Sequence, residues 1–333
     1  MRLAPENQVA LEALRAACRV CRAVAAGSFD AVRKADASPV TIADFASQAV
    51  IVARLRAHLG EPVIIGEESA DELRGDLDRL DAVVAAARVA WPEADRDGVL
   101  AAIDAGAQRP THGPYWTLDP IDGTKGFVRR EQYAVCLARV DGDAPVVGLL
   151  GCPNLPRDPS RGVDRADAEG SVYVVEAQGP VFELGVDDDA AREVPRVEAI
   201  GDPCWPEGDE IIATVSVESG HTKLDHVDAI LRHLGRPSRT IRCDSQAKYA
   251  LVARGQAHVY LRVPTDPTRV ELVWDHAAGA AIAARTGMRV TDLRGAALDF
   301  STPPRLARNV GILCAHPGIH GELVDAIAAL GFV

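Results

Sequence analysis

Two short apolar runs in this sequence end in clustered carboxylates. Residues 116–118 lead into Asp119–Thr124 (DPIDGT), and residues 62–65 lead into Gly66–Ser69 (GEES). Apolar runs of this length that stop at turn residues predict buried strands. Carboxylates at the ends of buried strands cannot stay ionised there without compensating cations. The chain therefore has to fold so that cations reach these strand ends.

The segment Asp119–Thr124 has the chemistry of a metal and phosphate site. Its proline and glycine predict a tight turn, which directs both carboxylates and one backbone carbonyl toward a single point. Hard oxygen ligands of this kind suit magnesium or manganese. Gly123 and Thr124 offer backbone N–H groups beside the ions, which is where a phosphate would bind.

Two further acids lie at the predicted starts of helices. Asp44 follows the segment 38–43, and Asp275 belongs to Trp274–Gly279 (WDHAAG), where small residues permit close packing. An Asp-x-x-Asp-Gly turn is common by itself, and helix capping is an alternative explanation for Asp44 and Asp275. One shared metal cluster explains all four segments together.

Charge and length limit the classes of protein. The 333 residues have a net charge of −12, whereas a general nucleic-acid binder normally has a basic face. An acidic chain can bind an anionic small molecule when metal ions supply the local positive charge. The N-terminal residues lack the layout of a signal peptide, and no apolar run approaches the roughly 20 residues that span a bilayer. We expect a cytoplasmic protein with no nucleic-acid or membrane partner.

The predicted elements divide the chain into two halves. Residues 1–200 predict an α+β domain with most of the metal ligands, and residues 201–333 alternate strands and helices, which indicates an α/β domain. The boundary is predicted within the polar stretch 186–210. Helices are predicted over 8–26, 40–59, 223–234, 245–253 and 274–287, with one or two more in 71–106. Strands are predicted over 62–65, 116–118, 132–140, 146–151, 211–217, 257–262, 288–292 and 310–314, the second ending sharply at Asp119-Pro120 and the last followed by a final helix. A hairpin that turns at 178–180 is predicted over 171–184.

Three motifs, taken in order, resemble those of the lithium-sensitive, inositol-monophosphatase-like phosphatases. They are G-E-E at 66–68, D-P-I-D-G-T at 119–124 and W-D-x-A-A-G at 274–279. The resemblance implies a layered α/β/α/β/α fold with the site between the halves. It also implies a magnesium-dependent phosphomonoesterase, in which two ions activate water and neutralise the transferring phosphoryl group.

The resemblance further implies a set of ligands. Glu67, Asp119 and the carbonyl of Ile121 would hold one magnesium, and Asp119 would bridge to a second ion completed by Asp122 and Asp275. The resemblance places a third, weaker ion near Asp44. Manganese would substitute for magnesium, and lithium, sodium or calcium would inhibit.

Two more roles follow from the resemblance. Thr124, paired with Asp44, would orient or deprotonate the attacking water. Glu68 would lie behind the ligands rather than among them.

Other segments resemble the 3′(2′),5′-bisphosphate nucleotidases within this group. These are K-G-F-V-R at 125–129, D-S-Q-A-K-Y at 244–249 and V-Y-L-R-V-P at 259–264, together with the wide separation of Glu67 from Asp119. The resemblance implies hydrolysis of the 3′-phosphate of adenosine 3′,5′-bisphosphate to AMP. Arg130 departs from the glycine frequent in that family.

The same resemblance implies a nucleotide site. Ser245, Lys248 and Arg262 would contact the nucleotide and its 5′-phosphate, and His221 would lie by the ribose or base. The alternative for Lys248 and Arg262 is a pair of solvated surface charges. A second phosphate gives both cations a physical purpose, because the metal ions cannot reach it.

Several alternatives stay open. The same chemistry could act on inositol mono- or polyphosphates, or on 3′-phosphoadenosine 5′-phosphosulfate. A non-catalytic nucleotide sensor would show lost metal ligands. Cys18 and Cys21 form one C-x-x-C without a second ligand pair, so reduced thiols on a helix explain them better than zinc or redox chemistry. Monomer and homodimer are equally compatible with the sequence.

Overall fold

A computed structural model describes residues 1–27, 39–110, 112–197, 210–217, 223–266 and 268–333, with the backbone alone at 39–41. The helices are α1 (Pro5–Ala25), α2 (Pro39–Leu59), α3 (Asp71–Arg74), α4 (Leu77–Ala87), α5 (Arg96–Ala105), α6 (Thr124–Arg129), α7 (Leu224–His233), α8 (Ala247–Ala253), α9 (Ala277–Arg285) and α10 (Pro317–Ala329). The strands are β1 (Ile64–Gly66), β2 (Tyr115–Asp122), β3 (Ala134–Asp141), β4 (Ala144–Cys152), β5 (Ser171–Val175), β6 (Phe182–Leu184), β7 (Arg192–Glu193), β8 (Ile211–Val215), β9 (Ser238–Arg242), β10 (Val259–Arg262), β11 (Arg289–Thr291) and β12 (Ile312–Ala315).

The first sheet contains β1 to β7 in chain order. β1 runs parallel to β2, with Gly66 opposite Leu118, and the remaining pairs are antiparallel. Parallel strands end at the same edge of a sheet. The acids that follow β1 and those at the end of β2 are therefore neighbours.

The predicted sharp end of the second strand at Asp119-Pro120 is wrong. β2 continues to Asp122, which pairs with Ala134 after an irregularity between Asp119 and Asp122. Pro120 lacks an N–H, and a bulge is one of the few places where a paired strand tolerates that loss. The irregularity turns the backbone so that both aspartates stay within the strand.

The second sheet has the order β11-β12-β10-β8-β9. β9, β8 and β10 are parallel, and β12 is antiparallel to both of its neighbours. Strand β9 was not predicted, because Ser238–Arg242 is almost entirely exposed and has no hydrophobic alternation. The two-residue β7, within the predicted loop 186–210, was missed for the same reason, since both of its residues are exposed.

The helices form layers around the two sheets. α1 and α2 cover one face of the first sheet, α8 and α9 lie between the sheets, and α7 and α10 pack outside the second sheet. This arrangement confirms the layered α/β/α/β/α fold. The predicted division near residue 200 lies outside the described residues and stays a prediction.

Small residues allow the middle layer to pack closely. A Cβ on Gly279 of α9 would lie 2.2 Å from the ring of Tyr249, and a Cβ on Gly148 of β4 would lie 2.7 Å from the Cβ of Ala281. Such distances exclude any side chain there. Among the described helices, none has both the length and the apolar character that crossing a bilayer requires.

Candidate active site

Asp119 lies at the centre of the carboxylates. Its side chain is 2% exposed, and its Oδ1 accepts the N–H of Ile121 at 3.1 Å. Burial raises the pKa of Asp119 well above its usual range, and repulsion from other carboxylates raises it further. Those carboxylates come from all four motif segments: Glu67, Asp122, Asp275 and Asp44. The structure therefore brings together the acids that the sequence placed far apart.

Glu67 lies directly beside Asp119, and the two side chains share a hydrogen bond. Glu67 is exposed on one side and crowded by protein on the other. Burial and the charge of Asp122 raise its pKa, although the hydrogen bond opposes that rise. Two neighbouring carboxyl groups that repel each other in this way do not both ionise freely without a compensating cation.

Asp122, at the end of β2, and Asp275, just before α9, are the two remaining acids of the cluster. Asp122 Oδ2 accepts the N–H of Gln246 at 2.5 Å. Burial raises the pKa of Asp122, against the opposing charges of Lys248 and Arg262. Burial likewise raises the pKa of Asp275 to about 8, opposed by Arg262 and supported by Asp122.

Asp44 and Glu68 lie behind the strand ends. Burial, with repulsion from Glu68 and Glu67, raises the pKa of Asp44 well above its usual range. Burial, with repulsion from Glu67, raises the pKa of Glu68 to about 7. The helix-capping alternative is wrong for Asp44, which is the sixth residue of α2. It is also wrong for Asp275, because α9 begins at Ala277 without a side-chain cap.

Helix α2 fixes both strand ends through two side chains that the sequence analysis did not identify. Gln48 Oε1 accepts the N–H of Glu68 at 3.0 Å, and Gln48 Nε2 donates to the Glu68 carbonyl at 2.8 Å. Ser47 Oγ donates to the Pro120 carbonyl at 3.1 Å. Gly66 is required here, since a Cβ would lie 2.5 Å from Gln48 Oε1. Their spacing of three and four residues from Asp44 is the signal that could have revealed them.

The turn after β2 directs the backbone of α6 toward the carboxylates. Gly123 has φ +85°, and its position allows contact with Ser245. The Thr124 hydroxyl is exposed and donates to the Ile121 carbonyl at 3.4 Å, so the turn itself orients the threonine. The expected pairing of Thr124 with Asp44 stays a prediction.

Lys248 is buried and the Arg262 side chain is only 11% exposed, so the alternative of solvated surface charges is wrong for both. Lys248 is 3% exposed, and its Nζ lies 5.2 Å from the centre of the Tyr260 ring. Burial lowers the pKa of Lys248, while Asp122 opposes the change. Arg262 donates to Glu271 at 2.8 Å and lies 3.9 Å from Asp275. Two cations thus adjoin the carboxylate cluster on the side of the second sheet.

Glu271 belongs to a buried network that the sequence analysis missed. Burial alone would raise its pKa, but hydrogen bonds from His276 and Arg262 lower the pKa to about 2. His276 Nε2 lies 3.3 Å from Glu271, and His276 Nδ1 lies 3.0 Å from the Tyr249 hydroxyl. A buried arginine needs a buried acid, and that need is the signal that could have led to Glu271.

Among the described residues, Glu271, Asp275 and His276 bring potential metal-ligand atoms within 4.8 Å of one another. Arg262 already neutralises Glu271 in this group. Asp275 is therefore the member left to face the other carboxylates. His221 lies outside the described residues.

The chemistry of the cluster fits a divalent metal ion. Burial raises the pKa of every carboxyl group in it, and repulsion from neighbouring acids adds to the rise, although Lys248 and Arg262 oppose it at Asp122. The donors are carboxylate oxygens and a backbone carbonyl, the ligands that hard divalent cations prefer. The carboxyl groups concerned are Asp44, Glu67, Asp119, Asp122 and Asp275, and their expected role as metal ligands stays a prediction.

The cysteines have no comparable arrangement. The six described cysteines are buried and form no disulfide. Burial raises the pKa of Cys18 to about 12 and that of Cys21 well above its usual range. Because zinc and redox chemistry both need the thiolate, the structure gives no support to that alternative.

Solved structures share this fold. CysQ from Bacteroides thetaiotaomicron, described as a bacterial member of the inositol monophosphatase family, superposes with a TM-score of 0.59 at 20% identity, covering 93% of this chain and 96% of that one. Mycobacterium tuberculosis SuhB gives a TM-score of 0.59 at 21% identity, covering 97% and 96%. The fold is therefore that of the inositol-monophosphatase-type proteins.

The family follows from sequence comparison. The model of the inositol monophosphatase family matches residues 3–330. Two relatives named 3′(2′),5′-bisphosphate nucleotidase are each 34% identical: one from Schizosaccharomyces pombe, covering 98% of this chain and 95% of the relative, and one from Dictyostelium discoideum, covering 98% and 97%. The chain belongs to the inositol monophosphatase family.

Proposed function

We propose that this protein is a magnesium-dependent phosphomonoesterase that removes the 3′-phosphate of adenosine 3′,5′-bisphosphate, giving AMP and phosphate. The observation that carries the proposal is that a cluster of carboxylates lies next to two cationic side chains. The carboxylates around Asp119 suit metal ions, and the buried cations Lys248 and Arg262 adjoin them. A substrate with two phosphates matches this pair of regions, and the shared name of the relatives supports the same substrate.

The proposed ions are two magnesium ions, with a third and weaker one near Asp44. Glu67, Asp119 and the Ile121 carbonyl would hold the first, and Asp119, Asp122 and Asp275 the second. When bound, such ions activate water and neutralise charge on the phosphoryl group during in-line displacement. The raised pKa of the carboxyl groups supports this proposal, because cation binding relieves their repulsion.

The protein groups would then orient the reactants. Asp44 lies close enough to Glu67 and Glu68 for their charges to act on it, and its carboxylate would accept the proton of the attacking water. Thr124 would hold the same water through its hydroxyl. The backbone N–H groups of Gly123 and Thr124 would bind oxygens of the departing phosphate.

The second phosphate would be held by Lys248 of α8 and Arg262 of β10. Arg262 is already paired with Glu271, so Lys248 supplies most of the positive charge available to a 5′-phosphate. Burial disfavours the Lys248 ammonium, and an anionic ligand would offset that cost. Ser245 lies just before α8, three residues ahead of Lys248, and would contact the nucleotide, as would His221.

The test is phosphate release from adenosine 3′,5′-bisphosphate with and without magnesium, beside inositol 1-phosphate, inositol 1,4-bisphosphate and fructose 1,6-bisphosphate. We expect fast, magnesium-dependent release from the nucleotide and slow release from the others. A preference for an inositol phosphate would overturn the roles given to Ser245, Lys248 and Arg262 while keeping the metal site. Absence of release from all four would favour a non-catalytic nucleotide sensor.

A further inference from the structure

Gln246 makes hydrogen bonds to two of the motif segments at once. Its backbone N–H donates to Asp122 Oδ2 at 2.5 Å. Its side-chain Nε2 donates to the Trp274 carbonyl at 2.7 Å, and its Oε1 accepts the N–H of Gly279 at 2.9 Å. The residue is 2% exposed. One buried residue therefore links the turn that holds Asp122 to the segment that holds Asp275.

We infer that Gln246 is a positioning residue that fixes the spacing between the Asp122 and Asp275 carboxylates. The Trp274 carbonyl belongs to the peptide unit immediately before Asp275, so the bond to it restrains the backbone at that acid. The Trp274 indole N–H is buried without a partner in the described structure. The hydrogen bond from Gln246 to the Trp274 carbonyl is therefore the side-chain contact that holds this residue in place. The inference rests on the proposed metal site.

The carboxamide of Gln246 satisfies both of its partners, because it offers a donor and an acceptor in one side chain. The Trp274 carbonyl needs a donor and the Gly279 N–H needs an acceptor, and a buried backbone group without its partner costs about 1–3 kcal/mol. Gln48 shows the same arrangement on the other side of the site, where its amide satisfies both the N–H and the carbonyl of Glu68. Each amide thus holds the backbone beside one proposed metal ligand.

The positioning role predicts a selective effect on metal binding. Misplacing Asp122 or Asp275 would weaken the ion that both are proposed to hold, and would spare the ion held by Glu67 and the Ile121 carbonyl. The first variant is Gln246→Met, which keeps length and removes both side-chain bonds without adding charge. The second is Gln246→Asn, which keeps the amide but shortens it by one methylene, so that it cannot reach both partners.

The control is Gln132→Met. Gln132 is a similarly buried glutamine, 2% exposed, whose Nε2 donates to the carbonyls of Asn154 at 3.1 Å and Val163 at 2.9 Å. Its side-chain bonds go to a loop rather than to a segment with a proposed ligand. A loss of packing and hydrogen bonding at this control should lower the melting temperature without changing metal affinity.

The experiment is a titration of metal-free protein with manganese, followed by electron paramagnetic resonance of the free ion. In the wild-type protein we expect two bound ions. In both Gln246 variants we expect one ion weakened at least about tenfold, equivalent to about 1.4 kcal/mol, with the other unchanged. Equal effects in Gln132→Met, or a lower melting temperature with unchanged manganese binding in the Gln246 variants, would overturn the inference alone. Absence of manganese binding by the wild type would overturn the proposed function with it.

Discussion

Gly123 and Ser245 approach each other so closely that a Cβ at position 123 would lie 2.9 Å from the Ser245 Cβ. Gly123 belongs to the turn that follows the first sheet's acids, and Ser245 precedes the helix that contains Lys248. Both residues have positive φ, +85° and +70°. This contact therefore joins the carboxylate cluster to the cationic region, and it requires glycine on one side.

Replacing Gly123 with alanine should reduce activity by separating these two regions. A non-glycine residue in the left-handed conformation costs about 1–2 kcal/mol, and the clash with Ser245 adds to that cost. We expect kcat/KM to fall at least about tenfold, since each 1.4 kcal/mol corresponds to one factor of ten. Steady-state kinetics with adenosine 3′,5′-bisphosphate measures the change.

The matched control is Gly142→Ala in the turn between β3 and β4. Gly142 has φ +67°, but a Cβ there would meet no atom within 4 Å. It therefore has the same backbone strain without the clash. Similar losses of kcat/KM in both variants would show that strain, and not the contact with Ser245, explains the effect.

Asp119→Asn should abolish turnover and leave the fold intact. The substitution removes charge from the centre of the cluster while nearly conserving volume, so it also relieves repulsion among the remaining acids. We expect kcat to fall by a factor on the order of 1,000 or more, because the ions supply several kcal/mol of stabilisation to the transition state. In chelator, the variant should melt at or above the temperature of the wild type. A variant that unfolds, or one that keeps its activity, would contradict the central place given to Asp119.

The metal-free protein should lose stability as pH rises toward about 8. The folded-state pKa of Asp275 is about 8, against about 3.9 in the unfolded chain, so the folded state holds the proton that the unfolded state has released. The free energy of unfolding therefore falls as the pH rises from the unfolded pKa of about 3.9 to the folded pKa of about 8. His258 and His276, whose pKa burial lowers, act in the opposite direction only below about pH 6.5.

The window between about pH 6.5 and 8 therefore isolates the carboxylates. Urea unfolding across it, in chelator and in excess magnesium, measures the effect. We expect the unfolding free energy to fall with pH in chelator and to stay nearly level with magnesium. A metal-free protein that gains stability over this range would show that the acids are not crowded as described.

Lys248→Ala should raise KM for a bisphosphate substrate much more than KM for a monophosphate substrate. A hydrogen bond to a charged group contributes about 1.5–3 kcal/mol, so we expect KM for adenosine 3′,5′-bisphosphate to rise about tenfold or more. KM for adenosine 3′-monophosphate should change little, since that substrate has no second phosphate. Equal increases for both substrates would remove the assignment of Lys248 to the 5′-phosphate.

The strand ends and the acids were predictable from the sequence, because each depends on local pattern, whereas their shared cluster was inferred only from the four segments taken together. An apolar run that stops at Gly66 and another that leads into Asp119 predict strands whose ends attract cations. The layered fold followed from the family motifs. The continuation of β2 through Pro120 was not predictable, since it depends on the partner strand tolerating an irregularity there.

The residues that hold the site in place were also missed. Gln246 bonds to segments 124 and 28 residues away along the chain, and Gln48 bonds to a backbone 20 residues away. Glutamine has no ordinary signal in a sequence, because its role depends on which backbone groups the fold brings to it. Such contacts depend on tertiary structure, whereas the acids can be recognised in the sequence from their residue type and their position at strand ends.

The most direct test of the account is the identity of the product formed from adenosine 3′,5′-bisphosphate by the magnesium-loaded protein. The carboxylates around Asp119 are proposed to act on one phosphate while Lys248 holds the other. Phosphorus NMR of the reaction distinguishes the two possible nucleotides. The account predicts adenosine 5′-monophosphate and inorganic phosphate, with none formed by Asp119→Asn. Release of the 5′-phosphate to give adenosine 3′-monophosphate would contradict it.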